Sequence, residues 1–148
     1  MTPRLALAGL ATVAAVMLLV SEFLPLFDIV VGELETVQES RVGWRNHAFA
    51  MLLLGLACVP MILGSLRGAR PAMWALAGIG IVVIAIALTV DLPNATDEGI
   101  YGERYADAQA RPQEGFFVET LGGVLLLLAG GLMLFLTPAR EQEERDAI

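Results

Sequence analysis

The residues with chemistry to offer are few and cluster in an unexpected place. Glu22 stands inside a long apolar run, in Val20-Ser-Glu-Phe-Leu-Pro-Leu-Phe-Asp28. Glu119 stands near the start of another such run, Asp91 closes a third, and His47, with Arg45 two residues earlier, opens a fourth. A carboxylate in hydrocarbon costs about 2.5–3.5 kcal/mol on insertion scales, so it faces the protein interior and takes a proton or a partner. These five residues offer two chemistries. In the first, Glu22 pairs with Arg45 or His47 and pins the first helix to the second. In the second, Glu22, Asp91 and Glu119 hold a cation, a proton or a polar head group in a small vestibule.

His47 with Glu22, Asp91 or Glu119 could also supply mixed ligands for a metal, but closed zinc sites ordinarily use several His or Cys, so no metal site is expected. With one His and one Cys in the chain, the expectation is no structural zinc, no bis-histidine haem, no iron–sulfur cluster and no other cofactor. No P-loop, no G-x-G-x-x-G turn and no G-x-S-x-G elbow is present, so a non-enzymatic role is expected. Cys58 lies within an apolar run and reads as a small core residue with a protonated thiol.

The elements that position these residues follow from hydropathy. The chain has 148 residues, 57% hydrophobic, with mean hydropathy +0.71. The apolar residues gather into runs at 5–27, 48–66, 72–90 and 116–136, each about 19–23 residues long. About 20 helical residues cross a hydrocarbon core, and a backbone in lipid satisfies its own hydrogen bonds by forming a helix. The expectation is an all-α membrane protein, a four-transmembrane-helix antiparallel bundle forming one domain over 1–148. The first run exceeds the 7–15 apolar residues of a signal peptide and lacks an Ala-x-Ala site, so it reads as a helix. In alternating helices, Glu22, Arg45, His47, Asp91 and Glu119 all fall at one end. Glu22 then lies about 7–8 Å below the end of helix 1.

Outer loops are expected at 28–47 and 91–115 and a cytoplasmic tail at 137–148. In the first loop, β-branched residues recur around Gly32 and again before Gly43, the pattern of a short two-strand ribbon. Trp44 suits the water–lipid boundary. In the second loop, "YGERYADAQA" reads as one or two helical turns, with Tyr101 and Tyr105 on one face. Small residues on the runs, Gly123 and Gly130 among them, read as internal helix packing.

The charge is −7 overall. Segment 28–47 has four acids against two Arg, and segment 91–115 has six against two. An acidic outer face disfavours nucleic acid and suits a cation or a basic partner. The expected partners are the lipid bilayer and a membrane-protein partner or second copy of the chain. Nine Arg and no Lys imply GC-rich coding and a bacterial plasma-membrane protein. The expected role is an interaction or accessory subunit working through the acidic loops. The alternative is a small transporter or channel component using the carboxylates as cation or proton ligands.

Phe23-Leu-Pro-Leu26, Arg67 to Arg70, Asp91-Leu-Pro93 and Gly115-Phe116 stand in an order that resembles small four-helix membrane proteins of high-GC Gram-positive bacteria. That class is largely uncharacterised, so the resemblance implies topology and no site residue. The layout is also similar to the claudin type, without its paired cysteines.

Arg4, Arg67, Arg70 and Arg140 fall on one side of alternating helices, which by the excess of cationic residues on cytoplasmic loops puts both termini inside. In the variants Glu35→Cys and Arg104→Cys, a membrane-impermeant maleimide should label intact cells from outside. Labelling from the cytosol alone would reverse the orientation.

Overall fold

The computed structural model describes residues 2–32 and 35–137. Leu34, the Pro138 helix stop, the Arg140 charge cue and the rest of the tail at 138–148 lie outside the described residues. The elements are α1 (Pro3–Ser21), β1 (Pro25–Val31), β2 (Thr36–Val42), α2 (Gly43–His47), α3 (Ala50–Leu66), α4 (Arg70–Ile86), a π-helical turn (Ala87–Asp91), α5 (Leu92–Ala95), α6 (Gly99–Arg104), β3 (Gln109–Pro112) and α7 (Glu114–Leu136).

The expected all-α four-transmembrane-helix bundle is overturned. Three stretches are long and apolar enough to cross a membrane: Pro3–Ser21, Arg70–Arg104 and Glu114–Leu136. Residues Ala50–Leu66 form a shorter apolar helix of 17 residues, about 26 Å long and below the hydrocarbon thickness of about 30 Å. At one end of the helices sits a three-stranded antiparallel sheet in the order β2-β1-β3.

Local chemistry explains each departure from the hydropathy runs. The first helix stops at Ser21 instead of 27 because Pro25 lacks an N–H and disfavours helix in the residue before it. Leu26 and Phe27, counted as lipid-facing helix, are instead buried in β1, where they pack with Ala95 and Phe116. The second helix starts at Ala50 because Ala48 and Phe49 adopt left-handed φ values of 49° and 67°. The expected ribbon is present as β1 and β2. The loop at 91–115 is built from α5, α6 and β3, and β3 pairs with β1 through Phe27 opposite Pro112 and Ile29 opposite Ala110. Tyr101 lies in α6, but Tyr105 follows it in an extended conformation, so the two share no helical face.

The main core runs along the helices between the two ends and is apolar: Ala11, Ala14 and Leu18 of α1 meet Met51, Cys58, Met73, Leu76, Val83, Leu126 and Met133. Cys58 is buried there as a free thiol. Outward, Leu53, Leu63, Trp74, Ile81, Leu128 and Phe135 are exposed. An apolar surface this extensive is what a bilayer would cover. At the end away from the sheet, Arg4 donates to the Thr137 hydroxyl at 3.0 Å and Arg70 donates to the Thr137 carbonyl.

Glycine sets the approach of α4 to α7. A Cβ on Gly80 would stand 2.5 Å from the Leu127 nitrogen, and one on Gly130 would stand 2.6 Å from the Met73 carbonyl oxygen. Gly78 and Gly131 have nothing within 4 Å of that position. Adding a methyl group at Gly80 or Gly130 forces two backbones apart, and overpacking of this kind costs about 1–3 kcal/mol. At the open sites alanine gains about 0.5–1 kcal/mol of helix propensity. In detergent, Gly80→Ala and Gly130→Ala should lower the melting temperature while Gly78→Ala and Gly131→Ala leave it equal or higher. Equal losses at all four positions would contradict this packing.

Candidate functional site

Beneath the sheet, His47, Asp91 and Glu119 converge, with one donor atom of each within 4.8 Å of the others, and Glu22 is buried nearby. Glu22 follows the last residue of α1, His47 ends α2, Asp91 ends the π-helical turn, and Glu119 lies in the second turn of α7. Relative exposure is 0% for Glu22 and 1% for both Asp91 and Glu119, and the His47 side chain is 3% exposed.

Each is placed by an identifiable feature. Glu22 is not several residues deep in a helix, as the hydropathy run implied, but at the helix end itself. It is buried because the chain folds back over it. The Gly43 N–H donates to the Leu24 carbonyl at 3.2 Å and the Trp44 N–H donates to the Glu22 carbonyl at 2.9 Å. Gly43 is required for that approach: a Cβ there would be 2.8 Å from the Glu22 Cα. Gly115 does the same for α7, where a Cβ would be 2.7 Å from the Pro25 carbonyl oxygen. In the π-helical turn, one extra residue rotates the following positions by about 100° relative to a continuous α-helix. Asp91 is thereby turned inward while its neighbours Val90 and Leu92 are exposed.

The polar contacts are directional. His47 Nε2–H donates to Asp91 Oδ1 at 2.6 Å, and Asn46 Nδ2 donates to the same oxygen at 2.7 Å. His47 Nδ1 faces Glu119 Oε2 at 3.8 Å, too far for a hydrogen bond. Among the described residues, the buried side-chain atoms without a partner include both oxygens of Glu22, both of Glu119, Asp91 Oδ2 and His47 Nδ1. Buried polar groups are normally satisfied, and a site with this many open acceptors is exceptional.

Three of the five residues singled out in the sequence, His47, Asp91 and Glu119, therefore meet; Glu22 is buried near them, and among the described residues no ion pair joins it to His47. Arg45 does not join them: it is exposed, with its guanidinium 5.1 Å from the centre of the Trp44 ring. Trp44 in turn stacks on Phe49 with ring centres 6.0 Å apart. The expected Glu22–Arg45 pair is thus absent among the described residues, because the single turn of α2 points Arg45 outward and His47 inward. Asn46 is the site residue that sequence reasoning passed over. Its signal was weak: a polar amide beside the chain's single His, at the mouth of an apolar run.

Burial alone pulls the His47 imidazole towards neutrality, but the hydrogen bond to Asp91 and the charges of Glu119, Asp91 and Glu22 outweigh it and raise its pKa above 6.5. No protein-family model, curated protein or solved structure matches this chain.

A group whose pKa is raised on folding stabilises fully below its unfolded value, and that stabilisation is lost as pH rises through the folded value. In metal-free protein, the melting-temperature difference between wild type and His47→Gln should therefore be greatest below about pH 6.5 and shrink at higher pH. A difference that grows with pH would contradict the assigned contacts.

Proposed function

We propose that this chain is a non-enzymatic membrane protein that binds a cation in the buried chamber formed by Glu22, His47, Asp91 and Glu119. The observation that carries this reading is the set of unpartnered, buried carboxylate oxygens gathered at the sheet end of the helices. Three acids withdrawn from water repel one another unless positive charge joins them. The ion pairs among the described residues that involve arginine, Arg41–Glu39 and Arg111–Glu35, lie elsewhere on the sheet.

Binding fits better than conduction. The buried polar and charged residues fall into two groups, Ser21, Glu22, Asp91 and Glu119 near the sheet and Ser65 and Thr137 at the opposite end. The core between them is apolar. A conduction path requires polar or water-lined positions along its length, and the described core supplies none. The buried acids thus lie at one end, beneath the sheet.

In this reading the cation fixes α1, α2, the π-helical turn and α7 to one another, and so sets the posture of the sheet. The sheet, with its acidic loops, is the surface available to a membrane-protein partner or a second copy. The chamber end faces outward from a bacterial plasma membrane, with the arginine-bearing end cytoplasmic.

Ligand that binds only the folded state raises its apparent stability by mass action. Chelator-treated protein in detergent, melted with Na⁺, K⁺, Mg²⁺, Ca²⁺, Mn²⁺ or Zn²⁺, should gain several degrees with at least one of these ions. Glu119→Gln should lose that gain while remaining folded by circular dichroism. No gain with any ion would overturn the reading.

A further inference from the structure

We infer that the chamber is built for a divalent metal of the imidazole-preferring class, such as Zn²⁺ or Fe²⁺, and not for Ca²⁺ or Mg²⁺. This inference rests on the cation-binding reading above and specifies its ligand.

One atom from each of His47, Asp91 and Glu119 lies within 4.8 Å of the others. Two atoms ligating a common ion at about 2.0–2.2 Å stand roughly 3–4 Å apart. The gap of 3.8 Å between His47 Nδ1 and Glu119 Oε2 falls in that range. It is too wide for a hydrogen bond, and it brings a ring nitrogen and a carboxylate oxygen face to face.

The pattern of satisfied and unsatisfied atoms is the stronger argument. On His47 the partnered nitrogen is Nε2, which donates to Asp91 Oδ1. In the neutral ring that a metal requires, that bond leaves the Nδ1 lone pair directed at Glu119. A histidine ligand ordinarily gives its other N–H to a carboxylate, which sets the tautomer and orients the ring. Asn46 donates to the same Asp91 oxygen at 2.7 Å and steadies it. The buried atoms of these residues left without partners are then one imidazole nitrogen, Asp91 Oδ2 and the oxygens of Glu119 and Glu22. His47 Nδ1 and the Glu119 oxygens supply mixed nitrogen and oxygen donors, and Asp91, which holds the far side of the ring, serves as the orienting carboxylate.

Charge and donor type select the ion. A metal takes carboxylates deprotonated and imidazole neutral, so an ion entering this ligand set meets a concentration of negative charge. A monovalent ion leaves most of that charge buried, whereas a divalent ion removes the larger part. Ca²⁺ takes six to eight oxygen ligands, and Mg²⁺ keeps several waters in strict octahedral geometry. An imidazole nitrogen oriented by its own carboxylate favours Zn²⁺, Fe²⁺ and Co²⁺ over both.

Co²⁺ serves as the probe because its visible absorption reports the ligand field. Full-length protein in detergent, stripped by chelator, should develop a visible band that saturates with added Co²⁺ and is displaced by Zn²⁺. A large excess of Ca²⁺ or Mg²⁺ should leave the band unchanged. His47→Gln should weaken Co²⁺ binding by about 100-fold or more, and Asn46→Ala, which keeps every ligand, by about 10-fold. Both variants are checked for folding by circular dichroism and gel filtration, and Asn46→Ala carries the test if His47→Gln is unstable. Displacement of Co²⁺ by equimolar Ca²⁺ or Mg²⁺ would overturn this inference and leave cation binding intact. Co²⁺ binding equally strong in the wild type and both variants would also overturn it, by placing the ion elsewhere. If neither Co²⁺ nor any ion of the melting series binds the wild type, the inference and the reading beneath it both fail.

Discussion

Removing three carboxylates and an imidazole from water at a single point is the constraint on which the sheet end of this molecule depends. Each of these groups would be stable at a wet surface. Here the chain closes over them, and every local feature around them serves that closure. Gly43 allows α2 to rest on the backbone of Glu22, and Gly115 allows α7 to rest under Pro25. The π-helical turn directs Asp91 inward where an α-helix would have turned it elsewhere. Asn46 and His47 both donate to Asp91, so one of the acids is already held in place by two donors.

This arrangement ties the long apolar helices to the sheet. The sheet does not pack on the helices through apolar contact alone, since its satellite core is small: Leu26, Phe27, Ala95 and Phe116. The polar chamber lies beside that core and shares its elements. A change in the charge of the chamber therefore acts on the same joints that hold the sheet. The apolar core below is insulated from such changes, because its α4–α7 contact is set by glycine backbones in direct van der Waals contact. The protein thus has an apolar body held by close backbone approach and a sheet end joined to it through a buried polar cluster.

Much of this was legible in the residues. Hydropathy located the apolar segments, since the hydrophobic requirement of a long helix is local and additive along the chain. Alternation of direction then brought Glu22, His47, Asp91 and Glu119 to one end without knowledge of any contact. The ribbon at β1 and β2 was visible in its β-branched residues. Hydropathy could not show where helix gives way to strand within an apolar run. Leu24 to Phe27 are as apolar as the helix before them, and only Pro25 marks the change. The same blindness supplied a fourth crossing helix, where two left-handed residues shorten α3.

Residue type and order by themselves determined which segments leave water and which acids travel with them, because transfer from water depends on the side chain and its immediate neighbours. The tertiary structure alone decided that Arg45 turns outward while His47 turns inward, that Asn46 donates to Asp91, and that β3 crosses a long loop to join β1. Those outcomes depend on a glycine approach, a π-helical turn and a strand pairing between residues far apart in the chain. Their energies arise from atoms brought together by the fold, so no local reading of the chain contains them.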